Sequence, residues 1–115
     1  MPSRDWQFRI QDILECISRI DSYTTGMTYP AFRDNQLVID AVVRNLEVIG
    51  EAANHVPAEV QLRFPDLPWA EMRGIRNLLI HEYFGVSVEI VWKTVRENLP
   101  SIVPGLQELL TENRG

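Results

Sequence analysis

The stretch DNQLVIDAVVRNLEVIGEAAN, Asp34 to Asn54, decides the fold. Leu37, Val38, Ile39, Ala41, Val42, Val43, Leu46, Val48, Ile49, Ala52 and Ala53 would cover most of the circumference of a helix. Asp40, Arg44, Glu47, Glu51 and Asn54, stepping by three and four, collect on one narrow stripe. A helix apolar nearly all round must be covered nearly all round. Two coverings meet that need. The preferred one is a second copy of the chain, which makes the protein a homodimer; the other is a wrapping by the chain's own helices.

Outward from that helix the periodicity stays helical. Towards the N-terminus, Trp6, Ile10, Ile13, Leu14, Ile17 and Ile20 form one stripe of a helix that starts near Ser3 or Asp5 and runs to about Tyr23. Cys16 sits at the edge of the stripe, as a small, partly buried side chain would. TTGMTYP then reads as a loop, with Gly26 and Pro30 as its breakers. Towards the C-terminus, HVPAEVQLRFPDLP is a connection bounded by Pro57, Pro65 and Pro68 and holding one short turn of helix. His55 at its start reads as a solvated or capping residue.

Pro68 suits the first position of a third helix, and Glu71 favours its N-terminal dipole. That helix runs through Trp69, Met72, Ile75 and Leu79 towards Tyr83, with Gly85 as its stop. Ser87 caps a fourth, whose buried face is Val88, Val91, Trp92, Val95 and Leu99. Pro100 and Pro104 kink or restart it, and Ile102, Val103, Leu106, Leu109 and Leu110 make a last segment. Nothing alternates with period two. The fold expected is all-α, a bundle of four to five helices, up-and-down or close to it.

A chain of 115 residues is the size of one domain, 1–115, with room for a real core. With 45% hydrophobic and 23% charged residues it is a globular sequence and not a disordered one. The start, MPSRDWQFRIQD, lacks the apolar run of a signal peptide, and no stretch is long enough to cross a bilayer, so the expected location is cytoplasmic, with no membrane partner. A single cysteine excludes an internal disulfide and a thiolate zinc site. The net charge of −5 argues against coating nucleic acid by charge alone, because that requires many cations against phosphates. Any nucleic-acid chemistry falls to a few placed residues.

RNLLIHEY, Arg76 to Tyr83, offers such residues. On a helical wheel Arg76 and Tyr83 share one face and Asn77 and His81 another, leaving Arg76 and His81 about 140° apart. They converge only if the arginine reaches round, if the helix loosens before Gly85, or if a neighbouring chain completes the site. Converged, they suit metal-free cleavage of RNA: a histidine that titrates near neutral pH beside a planar fork of phosphate donors. Equally, cationic side chains near a helix C-terminus stabilise it, and Tyr83 fits as a core aromatic. Spacing alone leaves both readings open.

The pattern R-N-x-x-x-H-x-Y at Arg76, Asn77, His81 and Tyr83 resembles the signature of HepT-like proteins, the toxin-type members of the HEPN superfamily. AVVRNLEVIGEAANHVP (Ala41 to Pro57) and WAEMRGIRNLLIHEYFGVSVEIVWKTVRENLP (Trp69 to Pro100) extend the resemblance in the same order. It implies an HEPN-like, all-helical homodimer with each motif facing the dimer cleft, and a metal-independent endoribonuclease, without cofactor, acting on an RNA substrate such as tRNA or mRNA. It also implies the toxin half of a type VII-like toxin–antitoxin module. The partner would be a cognate minimal nucleotidyltransferase antitoxin that neutralises the toxin by AMPylation of the motif tyrosine.

Carried onto this chain, Arg76 and His81 become catalytic, Asn77 a positioning residue and Tyr83 the modified one. Arg44, Glu47 and Glu51 either orient Arg76 by hydrogen bonds or form a plain solvated or ion-paired stripe. The alternative function is a non-catalytic module that binds a nucleotide or docks the nucleotidyltransferase; a purely structural helical dimer is a third.

Overall fold

The structure, a computed structural model, describes the backbone of residues 2–75 and 88–112. All the regular elements among those residues are helical.

Helix α1 (Pro2–Thr24) buries Trp6, Ile10, Ile13, Ile17 and Ile20, as its stripe requires, together with Cys16. It closes on Thr24, whose buried hydroxyl donates to the Ile20 carbonyl at 2.9 Å. Gly26 follows at φ +77°, the left-handed conformation in which a side chain is strained.

The next residues correct the expectation of a plain loop. Thr28 accepts the Ala31 N–H at 3.3 Å and caps a short helix α2 (Tyr29–Arg33). Pro30 does not break this segment. It sits in the first turn, where a missing N–H is harmless and a fixed φ helps. Asp34 therefore ends α2, and α3 (Gln36–Asn54) starts two residues later than the apolar pattern implied, with the Asn35 side chain accepting the Val38 N–H at 3.1 Å.

Helix α3 packs against α1, α2 and α5. Ile39, Val42, Leu46, Ile49, Ala52 and Ala53 are buried in that contact. Fully burying a side chain of this size contributes roughly 1.5–3 kcal/mol. The charged stripe of Asp40, Arg44, Glu47, Glu51 and Asn54 is exposed, as the wheel requires. The rest of the apolar arc is less buried: Val38, Ala41, Val43 and Val48 are half-buried and Leu37 stands 81% exposed.

His55 ends α3 as its C-cap, with Nδ1 2.8 Å from the Glu51 carbonyl. The short turn in the connection is α4 (Ala58–Arg63). Pro68 is the cap residue before α5 (Trp69–Arg73) and not its first member. The Trp69 indole N–H donates to the Phe64 carbonyl at 2.9 Å, tying the connection to the helix it introduces. Arg73 donates to the Gln61 side-chain oxygen, and the Gln61 amide donates to the Val56 carbonyl at 2.9 Å. The expected single run through Ile75 is already loosened at Gly74, which caps α5 at φ −82° and ψ −2°. The rest of that expected run lies outside the described residues.

Past residue 87, α6 (Val88–Lys93), a π turn (Thr94–Asn98) and α7 (Leu99–Glu112) follow without a gap. The restart expected at Pro100 is there: the proline is the second residue of α7, which follows the π turn, and Leu99 N–H donates five residues back to Thr94 O, ahead of a residue that has no N–H to give. Pro104 lies inside α7. Val91, Val95, Leu99, Ile102, Leu106 and Leu109 are buried along this rod. Gly105 lets it pass the α4–α5 connection, since a Cβ there would stand 2.8 Å from Leu67 Cδ2. One apolar cluster draws on every helix named, which makes the described residues an all-α bundle. No helix among the described residues is long and apolar enough to cross a membrane.

Candidate functional site

Arg76, Asn77, His81 and Tyr83 lie outside the described residues, as do Leu79, Gly85 and Ser87. The structure describes the frame at either end of their segment. On the incoming side Trp69, Met72 and Ile75 are buried against the core, and the ties from Trp69 and Arg73 fix α5 to the connection before it. α5 itself rests on α3, so the lead into the motif is seated on the central helix.

On the outgoing side Trp92 carries the anchoring. Its ring centroid is 4.9 Å from that of the fully buried Phe32 and 6.4 Å from that of Tyr29, so α6 docks on α2 through aromatic contact. The Arg96 guanidinium lies over the same indole, 4.5 Å from its centroid. Its Nη2 donates to the carbonyls of Thr24 and Met27, each at 2.9 Å. A cation at the C-terminal end of α1 is well placed for that helix's dipole and for its unsatisfied carbonyls. None of Tyr29, Phe32 and Arg96 stood out in the sequence. Thr28 capping a first-turn proline was the one local sign of the element that brings the two aromatics here.

Arg44, Glu47 and Glu51 are all exposed on α3. The Glu51 carboxylate lies 3.6 Å from Nδ1 of His55, the cap residue four positions on. Asn45 was not singled out from the sequence, although it falls on the apolar arc between Val42 and Ile49. It is buried, and its amide donates to the Ala41 carbonyl at 2.9 Å, so the polar donor is satisfied within its own helix. Cys16 is buried and burial pushes its thiol up from the ordinary value, so it stays protonated at neutral pH and is no nucleophile.

The family model described as Ribonuclease HepT-like matches residues 13–109, a span that includes all four motif positions. Among curated proteins, "Putative RNase MJ1380" of Methanocaldococcus jannaschii is 40% identical over 102 residues, covering 89% of this chain and 94% of that protein. "Putative RNase MJ1216" of the same organism is 38% identical over 115 residues, covering 100% of this chain and 95% of the other. "Probable ribonuclease HepT" of Thermococcus cleftensis is 39% identical over 100 residues, covering 87% and 91%. No solved structure matches the chain at a significant level.

Proposed function

The chain belongs to the HepT-like ribonuclease family, and from that membership we propose that it is a metal-independent endoribonuclease whose catalytic pair is Arg76 and His81. The observation that carries this reading is the family match itself, since it runs through α1, α3 and both flanks of an unbroken R-N-x-x-x-H-x-Y.

His81 takes the proton of a ribose 2′-hydroxyl, and the freed oxygen attacks the adjacent phosphorus. Arg76 steadies the negative charge that grows on the non-bridging oxygens, and Asn77 positions the group. The 5′-oxygen leaves with a proton from His81 of the partner subunit. The products are a 2′,3′-cyclic phosphate and a free 5′-hydroxyl. A homodimer supplies that second imidazole, and the half-exposed apolar arc of α3 around Leu37 is surface that a second copy would cover. In the cell the enzyme acts as a toxin in the cytoplasm, on tRNA or mRNA. Its cognate minimal nucleotidyltransferase silences it by adding AMP to Tyr83, putting charge and bulk on the wheel face of Arg76.

The test is cleavage of total RNA in the presence of chelator. The wild-type chain should leave ends with 2′,3′-cyclic phosphate, and His81→Ala should leave none while keeping its helicity and its mass in solution. Cleavage by His81→Ala, or products ending in 3′-hydroxyl, would overturn the mechanism. Intact mass after co-expression with an adjacent nucleotidyltransferase tests the regulation. Whole multiples of added AMP, absent from Tyr83→Phe, are expected; an unmodified chain would refute it.

A further inference from the structure

Between α2 and α6 lies an open hollow of about 390 Å³, lined by Tyr29, Glu89, Ile90, Trp92, Lys93, Arg96 and Glu97. Its volume is that of a small-ligand site. Three of its groups have complementary chemistry. The Arg96 guanidinium is a plane already held in place, laid over Trp92 and tethered to two backbone carbonyls, so a flat ligand stacking on it loses little side-chain freedom. Lys93 is an exposed ammonium with no hydrogen bond or ion pair among the described residues. Glu97 is an exposed carboxylate, an acceptor with no donor among the described residues. The π turn Thr94–Asn98 sets Arg96 and Glu97 at the rim, and such turns recur at functional sites.

The mixture of charge narrows the ligand. A groove that tracks a run of phosphates is lined by cations throughout, whereas here the carboxylates of Glu89 and Glu97 stand beside Lys93 and Arg96, a balance that suits one base and one phosphate. A single nucleotide needs all three groups: a plane for the base, an acceptor for base N–H, and a cation for the phosphate. Guanine has two adjacent donors, N1–H and the 2-amino group, which one carboxylate accepts together, whereas uracil has a single N–H.

We propose that this hollow seats one unpaired guanine nucleotide of the RNA substrate, its base stacked on Arg96 beside Tyr29, its donors on Glu97 and its phosphate on Lys93. The seat takes its ligand, RNA, from the ribonuclease reading and adds the selection of a guanine outside the cleaved bond.

Trp92 is half-exposed while Trp6 and Trp69 are buried, so quenching of indole fluorescence reports on this hollow. The full chain would be titrated with a uridine octamer and with the same octamer carrying one guanosine, and cleavage would be read in the same samples. The guanosine octamer should bind about tenfold more tightly. Glu97→Gln should erase that preference, and Lys93→Glu should weaken both octamers about tenfold. Both substitutions fall on exposed side chains and leave the fold intact. Equal affinity for the two octamers, or variants that bind and cut like the parent, overturns the seat and spares the ribonuclease. Guanosine-selective binding with no product overturns the ribonuclease and spares the seat.

Discussion

Replacing Arg96 by methionine tests whether the C-terminal end of α1 and the π turn are held together by one side chain. Methionine keeps an unbranched stem over the Trp92 indole but removes the charge and both donors. The bond to the Thr24 carbonyl is partly buried and that to the Met27 carbonyl is exposed. A hydrogen bond from a charged donor contributes about 1.5–3 kcal/mol when sheltered, and the exposed one much less. The stacked cation adds about 0.5–1 kcal/mol. The Thr24 carbonyl also accepts the Met27 N–H at 3.0 Å, so it is not orphaned and the loss stays at the lower end. The expected cost is about 2 kcal/mol. In urea the midpoint should fall by about 1 M with the slope unchanged, and Tm by roughly 8 °C. Arg96→Lys, which keeps the charge but not the planar fork, should fall between. A midpoint for Arg96→Met within about 0.2 M of the parent would refute the clasp, because the loss would then lie below the smallest contribution such a sheltered bond makes.

Other perturbations follow from the same packing. Leu46→Ala opens a hole in the core, where the side chain is 1% exposed, and should cost about 3–4 kcal/mol by urea unfolding. Asn35→Ala removes the cap on Val38 N–H and should cost about 1 kcal/mol, most of it restored by Asn35→Ser. Burial raises the Cys16 thiol, so the fold favours the protonated form; that stability is complete below the ordinary thiol value near about 8.5 and drains as pH rises past it. Tm should therefore decline above that pH more steeply in the parent than in Cys16→Ala, and a thiol reagent should label the native chain far more slowly than the urea-unfolded one.

What could be read directly was periodicity over long runs. Most of the stripes of α1 and of the rod after Val88 are buried, with Leu14, Val88, Trp92, Val103 and Leu110 only partly so, and the polar stripe of α3 is exposed. A run of five residues has no period to read, so α2 does not show as a helix in the sequence; its sign is a capping Thr28 followed by a first-turn proline. Pro100 marks the restart of the α-helix in the sequence, but nothing there marks the π turn before it. A proline removes one donor, and a chain pinned on both sides by Val95, Leu99 and Ile102 keeps its helical course by shifting a bond to i−5.

The candidate site divides the same way. Its chemistry is local in sequence: four side chains within eight positions, recognisable as a pattern. The frame that leads into and out of it is not local. Arg96 reaches carbonyls 72 and 69 residues away, and Arg73 reaches Gln61 across the α4–α5 connection. A bond from a guanidinium to a backbone carbonyl places no demand on the acceptor's side chain, so no residue type marks its far end. The motif carries the groups proposed to react, whereas α5 and α6 are seated by contacts that no motif includes. In the ribonuclease proposed above, substitutions at Phe32 or Trp69 should lower the rate of RNA cleavage with the motif intact, and a rate equal to the parent's at the same folded fraction would refute that dependence.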